Sequence, residues 1–150
     1  MRTGTYRQVF AGNPSDFNGK VVLAVGTGSG ILAFFAAQAG AKKVYAVEAS
    51  SSAQTATLLA AHNGYSDIVE VLRGRIEDIE LPELVDVIIS EPIGFLLVHE
   101  RMLEAYVCAR DKFLKPGGLM MPTTGCIVFG PLTDETMHTE QQAKASFWQV

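Results

Sequence analysis

Val21-Val22-Leu23-Ala24-Val25 runs without a break into Gly26-Thr27-Gly28-Ser29-Gly30, and this stretch constrains the fold more than any other. A continuous apolar, largely β-branched run is the pattern of a strand buried on both faces, which a parallel sheet covered by helices provides. The glycines then end the strand in a turn where backbone and ligand can approach closely. Residues 31–39 are rich in helix formers, and Gly40 stands where a helix C-terminal glycine belongs. Residues 43–47 make a second strand that ends at Glu48. Strand, crossover helix and parallel strand form one unit, so the expected class is α/β: a mostly parallel twisted sheet with helices on both faces.

The spacing of the glycines narrows the ligand. A dinucleotide turn reads G-x-G-x-x-G, whereas this chain has G-x-G-x-G with Ile31 next. A pyrophosphate is disfavoured, and an adenosine without phosphates fits better, as in S-adenosylmethionine-dependent methyltransferases. Glu48, about twenty residues on, can accept hydrogen bonds from both ribose hydroxyls. A second signal lies in Ser90-Glu91-Pro92-Ile93-Gly94-Phe95-Leu96-Leu97-Val98-His99-Glu100, where two carboxylates end a short loop that follows an apolar strand. Two adjacent acids repel unless a cation sits between them. A guanidinium, planar, forked and permanently charged, answers two carboxylates at once.

The remaining elements alternate without repeats. Ser51 or Ser52 is expected to cap a helix reaching Asn63 with Gly64 at its end, and residues 68–73 form a third strand. Residues 85–89 form a fourth, delivering Glu91 to the carboxyl edge of the sheet, where ligands bind in open α/β sheets. Leu103, Tyr106, Val107 and residues 110–114 follow helical spacing until Pro116-Gly117-Gly118 breaks it. Residues 119–121 and 125–130 read as later strands, and Pro131 and Asp134 as a turn before a final helix ending near Trp148.

Composition fits one compact domain over residues 1–150: with 48% hydrophobic residues the chain can bury a core without disulfide or metal staples. No apolar stretch approaches the roughly 20 residues that span a bilayer, and no signal-peptide pattern opens the chain, so a soluble intracellular protein with no membrane partner is expected. The net charge of −4 disfavours nucleic acid and suits basic, arginine-rich protein tails. Cys108 and Cys126 lack metal-like spacing and read as buried thiols. His62 and His138 read as surface residues, and His99 has no second ligand beside it, so no metal site is expected.

Taken together, these segments resemble the catalytic core of protein arginine methyltransferases, most closely the coactivator-associated type I branch. The likeness rests on Arg2-Thr3-Gly4-Thr5-Tyr6, the glycine turn, Phe34-Phe35-Ala36-Ala37-Gln38-Ala39-Gly40-Ala41, Tyr45-Ala46-Val47-Glu48-Ala49-Ser50, and Ile76-Glu77-Asp78-Ile79-Glu80-Leu81-Pro82-Glu83. It continues through the double-glutamate loop, Glu100-Arg101-Met102-Leu103-Glu104, and Met121-Pro122-Thr123 to Phe147-Trp148-Gln149. The resemblance implies a Rossmann-like class I methyltransferase fold using S-adenosylmethionine, with S-adenosylhomocysteine as product. By the same resemblance Arg2 would bind the cofactor carboxylate and Gly26, Gly28 and Gly30 would form the turn against it. Glu48 and Ala49 would hold the ribose side, Ile76 and Glu77 would frame the adenine, and Met102 would lie beside the cofactor. Glu91 and Glu100 would clamp the substrate guanidinium, and Glu91 would also border the cofactor.

The implied activity is asymmetric dimethylation of arginine in proteins such as histones or RNA-binding proteins, in the nucleus or cytoplasm, and the alternative is a cofactor-binding but inactive form. The family's tyrosine-bearing lid helix, its β-barrel and its homodimerisation arm are expected to be missing from these 150 residues, with the last ~25 residues starting the barrel region. Two departures from the family pattern are expected to matter. Ala24 replaces an Asp, and losing a charged hydrogen bond there would weaken cofactor binding by about ten- to a hundredfold. His99 stands where the family usually has Asn or Tyr and Phe95 where Tyr is common, changing the polarity of the acceptor pocket.

Overall fold

The structure, a computed structural model, describes residues 2–145. Helix α1 (Arg2–Gly12) is followed by a 3-10 turn at Pro14–Asp16. Then come β1 (Val21–Val25), α2 (Ile31–Gln38), β2 (Lys43–Glu48), α3 (Ser52–His62), β3 (Val69–Arg73), β4 (Val85–Ser90), α4 (Met102–Phe113), β5 (Leu114–Met121) and α5 (Glu135–Ala145). The five strands form one sheet in the order β3-β2-β1-β4-β5, and every pairing is parallel. The chain runs outward from β1 to β2 and β3, then returns to β4 on the other side. The reversal leaves a crevice at the carboxyl ends of β1 and β4, where open α/β sheets take ligands.

Strand β1 is buried along its whole length, which explains its unbroken apolar sequence. Its side chains alternate between two cores. Val22 and Ala24 point with Ala46 and Ile89 into a cluster covered by Phe10 of α1 and by Leu32, Ala33, Phe34, Ala36 and Ala37 of α2. Val21, Leu23 and Val25 point with Tyr45, Val47 and Ile88 toward Tyr106, Ala109 and Phe113 of α4. Ala24 is thus a core residue, 1% exposed, and its side chain is not among those lining the cleft described below.

Helix α1 has no apolar periodicity in its sequence and buries only Phe10. Tertiary contacts hold it: the Phe10 ring stacks on Phe17 at 4.5 Å and lies 5.9 Å from Phe35. The third strand starts at Val69 rather than at Ile68. Ser51 sits at the N-cap of α3 but makes no capping bond; the hydroxyl of Ser50 instead accepts from the Ser52 N–H at 3.1 Å.

Pro116-Gly117-Gly118 is no break between helix and strand. Helix α4 ends at Phe113, and the triplet forms an irregularity inside β5, where the register with β4 shifts between Val85 and Val87. Residues 125–130 form no strand, and Val128 and Phe129 are 87% and 86% exposed. Cys126 is exposed and Cys108 half-buried, so only the latter approaches the expected burial. Trp148 lies outside the described residues.

Candidate active site

A cleft of about 380 Å³ opens at the carboxyl edge of the sheet, between the strand ends and the start of α4. Gly26 follows β1, Glu48 and Ala49 end β2, Ile76 and Glu77 follow β3, Glu91 and Glu100 come from the loop after β4, and Met102 opens α4; all of them line it. Residues far apart in the chain therefore meet because parallel strands deliver their carboxyl ends to one edge. Gly28, Gly30 and Arg2 are not part of the lining.

Gly26 has φ +63°, and an ideal β-carbon there would lie 2.6 Å from the Met102 Cε. The left-handed backbone is what calls for glycine here, and the end of the Met102 side chain packs over it. Gly28 acts one step removed from the cleft: its N–H donates to the Glu48 Oε2 at 2.8 Å, while the Ser50 N–H donates to Oε1 at 2.8 Å. Partial burial alone would raise the pKa of Glu48. The hydrogen bonds from the Ser50 backbone and hydroxyl and from the Gly28 and Ala49 amides outweigh it and hold the carboxyl below its usual range. Glu48 is thereby an oriented carboxylate at the wall of the cleft.

At the opposite wall, Glu91 accepts from the Arg2 Nη1 at 2.9 Å through Oε2, whereas its Oε1 is buried without any partner among the described residues. A buried carboxylate oxygen left unpaired is costly, and a cationic donor would satisfy it. Arg2, expected at the cofactor carboxylate, is paired with this acid instead. One helical turn further along α1, the Tyr6 hydroxyl donates to the Ser90 carbonyl at 3.0 Å. Burial, and then the charge of Glu91, raise the Tyr6 pKa, so the phenol stays a donor. The buried Ser90 hydroxyl in turn donates to the Val25 carbonyl at 2.8 Å, tying the ends of β1 and β4 together. Tyr6 and Ser90 were not singled out from sequence; only the three-dimensional return of α1 to the end of β4 identifies them.

The loop from Glu91 to Glu100 is a compact series of turns, with the Leu97 N–H bonded to the Gly94 carbonyl at 2.9 Å and the His99 N–H to the Phe95 carbonyl at 3.1 Å. Leu96, Leu97 and Arg101 adopt φ of 48°, 67° and 57°. Left-handed backbone costs a non-glycine residue roughly 1–2 kcal/mol, and such strain concentrates at functional sites. Gly94 makes the fold of the loop possible: an ideal β-carbon there would lie 2.8 Å from both the Cγ and the backbone nitrogen of Glu100. His99 and Phe95 are exposed, Phe95 at 76%, and neither lines the cleft. On the remaining side, Glu77 lies 3.4 Å from the Arg75 Nε, and Ile76 is buried as an apolar wall. Among the described residues no cluster of three or more His, Cys, Asp and Glu could hold a metal ion, and no helix is long and apolar enough to cross a membrane.

A glycine turn, an oriented carboxylate and an apolar wall at a sheet switch point make up a ligand cleft of the α/β class. A family model described as ribosomal protein L11 methyltransferase matches residues 11–122. The chain is 57% identical over 150 residues to a probable histone-arginine methyltransferase 1.3 of Arabidopsis thaliana, covering 99% of this chain and 28% of that relative. Among solved structures, Arabidopsis thaliana protein arginine methyltransferase 10 superposes with a TM-score of 0.79 at 52% identity, over 80% of this chain and 34% of that one. The Trypanosoma brucei PRMT1 enzyme–prozyme complex, solved with AdoHcy, superposes with a TM-score of 0.78 at 44% identity, over 79% of this chain and 38% of that one. The chain belongs to the methyltransferases, and among them to the protein arginine methyltransferase family. It spans between 28% and 38% of the length of these relatives.

Proposed function

We propose that this chain is the S-adenosylmethionine-binding catalytic core of a protein arginine N-methyltransferase. The observation that carries this reading is the buried, unpartnered Oε1 of Glu91 in the same cleft as the oriented carboxylate of Glu48. One acid is oriented for hydroxyl donors, and the other keeps one carboxylate oxygen without a donor beside its ion pair with Arg2. When bound, S-adenosylmethionine supplies an electrophilic methyl group on a sulfonium sulfur. Glu48 and Ala49 would hold the ribose, Ile76 would pack on the adenine and Glu77 would accept from its amine. Gly26 leaves room for the ligand against the backbone, with Met102 opposite and Gly28 fixing Glu48.

Glu91 and Glu100 would grip the acceptor guanidinium. Delocalisation makes a guanidinium a poor nucleophile, so orientation and polarisation by two carboxylates would supply most of the acceleration. The carboxylates draw positive charge toward the nitrogens they bind and leave the attacking nitrogen richer in electrons. The proton released on transfer would pass to one of these acids or to water. A protein arginine in a basic tail, histone tails included, would be the acceptor, with asymmetric dimethylarginine as product and the nucleus or cytoplasm as setting. Homodimerisation is part of the same reading.

A second reading, cofactor binding without turnover, is favoured by the Arg2–Glu91 ion pair, with which an acceptor guanidinium must compete. Calorimetry with S-adenosylhomocysteine followed by a methylation assay on an arginine-rich peptide separates the two. Glu91→Gln and Glu100→Gln should each keep cofactor affinity and lower turnover by at least about tenfold, the low end expected for one lost charge-assisted contact. Near-normal turnover in both variants would falsify the clamp, and binding with no turnover in the unsubstituted protein would select the second reading.

A further inference from the structure

We propose that Lys112 is a positioning residue for the cofactor cleft, tethering the turn that would flank the adenine to the helix on the other side of the site. This rests on the cofactor reading above and deepens it. The Lys112 ammonium donates to the backbone carbonyls of Glu77 at 2.8 Å and Ile79 at 3.0 Å, 35 and 33 residues away in the chain. Among the described residues the backbone of the turn it grips is otherwise bonded by the Asp78 and Ile79 N–H groups, both on the Arg75 carbonyl at 3.0 and 3.1 Å, and by the Gly74 N–H on the Glu48 carbonyl at 3.0 Å, with Ile76 in the core and Ile79 and Leu81 packed against it.

Two features make the tether specific. Met102, Ala105, Ala109 and Lys112 are spaced by three, four and three residues, so they share one stripe of α4. The first two line the cleft, the third is fully buried against the sheet, and Lys112, about 10 Å along the axis from Ala105, ends the stripe on the turn. The Lys112 ammonium also lies 5.0 Å from the Phe113 ring centroid, which limits its freedom before it reaches the carbonyls. Two walls of the cleft, the start of α4 and the segment carrying Ile76 and Glu77, are therefore joined by one charged side chain outside the cleft. Among the described residues neither carbonyl has another charged donor, and Ile76, Ile79 and Leu81 pack in the same cluster as Ala109 and Phe113, so removing the ammonium loosens the backbone of the turn while its apolar side chains stay seated.

The test compares Lys112→Met and Lys112→Arg with the unsubstituted protein, measuring S-adenosylhomocysteine binding by calorimetry, amide hydrogen exchange without ligand, and the thermal midpoint. Lys112→Met should raise the Kd roughly three- to tenfold, about what an exposed charge-assisted bond is worth. It should speed exchange only across residues 75–81, and the thermal midpoint should stay within about 2 °C. Lys112→Arg, which keeps the donors, should restore both affinity and protection. An unchanged Kd in Lys112→Met beside normal binding by the unsubstituted protein overturns this inference alone, as does faster exchange spread over the whole sheet. Failure of the unsubstituted protein to bind S-adenosylhomocysteine overturns the cofactor reading and this inference with it.

Discussion

Glu48→Gln tests the ribose carboxylate most directly, because the substitution keeps the shape and removes the charge. In the folded protein the two carboxylate oxygens accept the Gly28 and Ser50 N–H groups at 2.8 Å each. A glutamine offers one carbonyl oxygen, so its amide group must face one of those two donors, and that bond is lost. Facing the ligand, the variant likewise accepts from one ribose hydroxyl instead of two. A hydrogen bond to a charged group contributes about 1.5–3 kcal/mol, and the site is only partly buried, so the lower end applies. The expected Kd for S-adenosylhomocysteine therefore rises by roughly ten- to thirtyfold. Because the effect runs through the hydroxyls, the same variant measured with a 2′,3′-dideoxy analogue should show much less of it. Calorimetry on both proteins with both ligands closes a double-mutant cycle with an expected coupling of about 1–2 kcal/mol. A Kd within twofold for Glu48→Gln, or an equal loss with the dideoxy analogue, would refute the assignment.

Two further expectations address the acceptor loop and the far edge of the sheet. Gly94→Ala places a methyl group 2.8 Å from the backbone nitrogen of Glu100, so the loop must shift and Glu100 with it. S-adenosylhomocysteine affinity should stay within about twofold while methylation of an arginine peptide falls by at least about tenfold, and equal loss of both would show a general disruption instead. Asp86 accepts the Val21 N–H at 2.8 Å and the Lys115 ammonium at 2.7 Å. Burial alone would raise its pKa, but the bond from Lys115, the Val21 amide and the nearby lysine charges outweigh it and lower the value. A carboxyl with a lowered folded-state pKa stabilises fully above its unfolded value near 4, and that contribution is lost as the pH falls through the folded value. Asp86→Asn should cost about 1 kcal/mol at pH 7, and its gap from the parent in urea denaturation should shrink below about pH 4; a constant gap would exclude this linkage.

The residues whose role depends on local pattern were legible in the chain itself. An uninterrupted apolar pentapeptide closing in glycines needs burial on both faces, so β1, the turn, α2 and β2 followed from periodicity, and the acid at the tip of β2 followed from their spacing. The same logic placed Glu91 at the carboxyl edge, since a strand rising out of the core must release its next residue there. What only the tertiary structure decided lies where distant segments meet. Helix α1 has almost no apolar face, and its position comes from Phe10 packing and from Arg2 and Tyr6 reaching the end of β4. Ala24 occupies a position read as ligand-facing, yet the two-residue alternation of a strand turns it into the core beside Ala46 and Ile89. The Pro116-Gly117-Gly118 triplet, a helix breaker by local chemistry, sits inside β5 because pairing with β4 absorbs the irregularity. Local backbone preferences act over a few residues and can be read in one dimension, whereas the partner of Glu91, the register of β5 and the grip of Lys112 depend on loop closure and packing across the whole sheet.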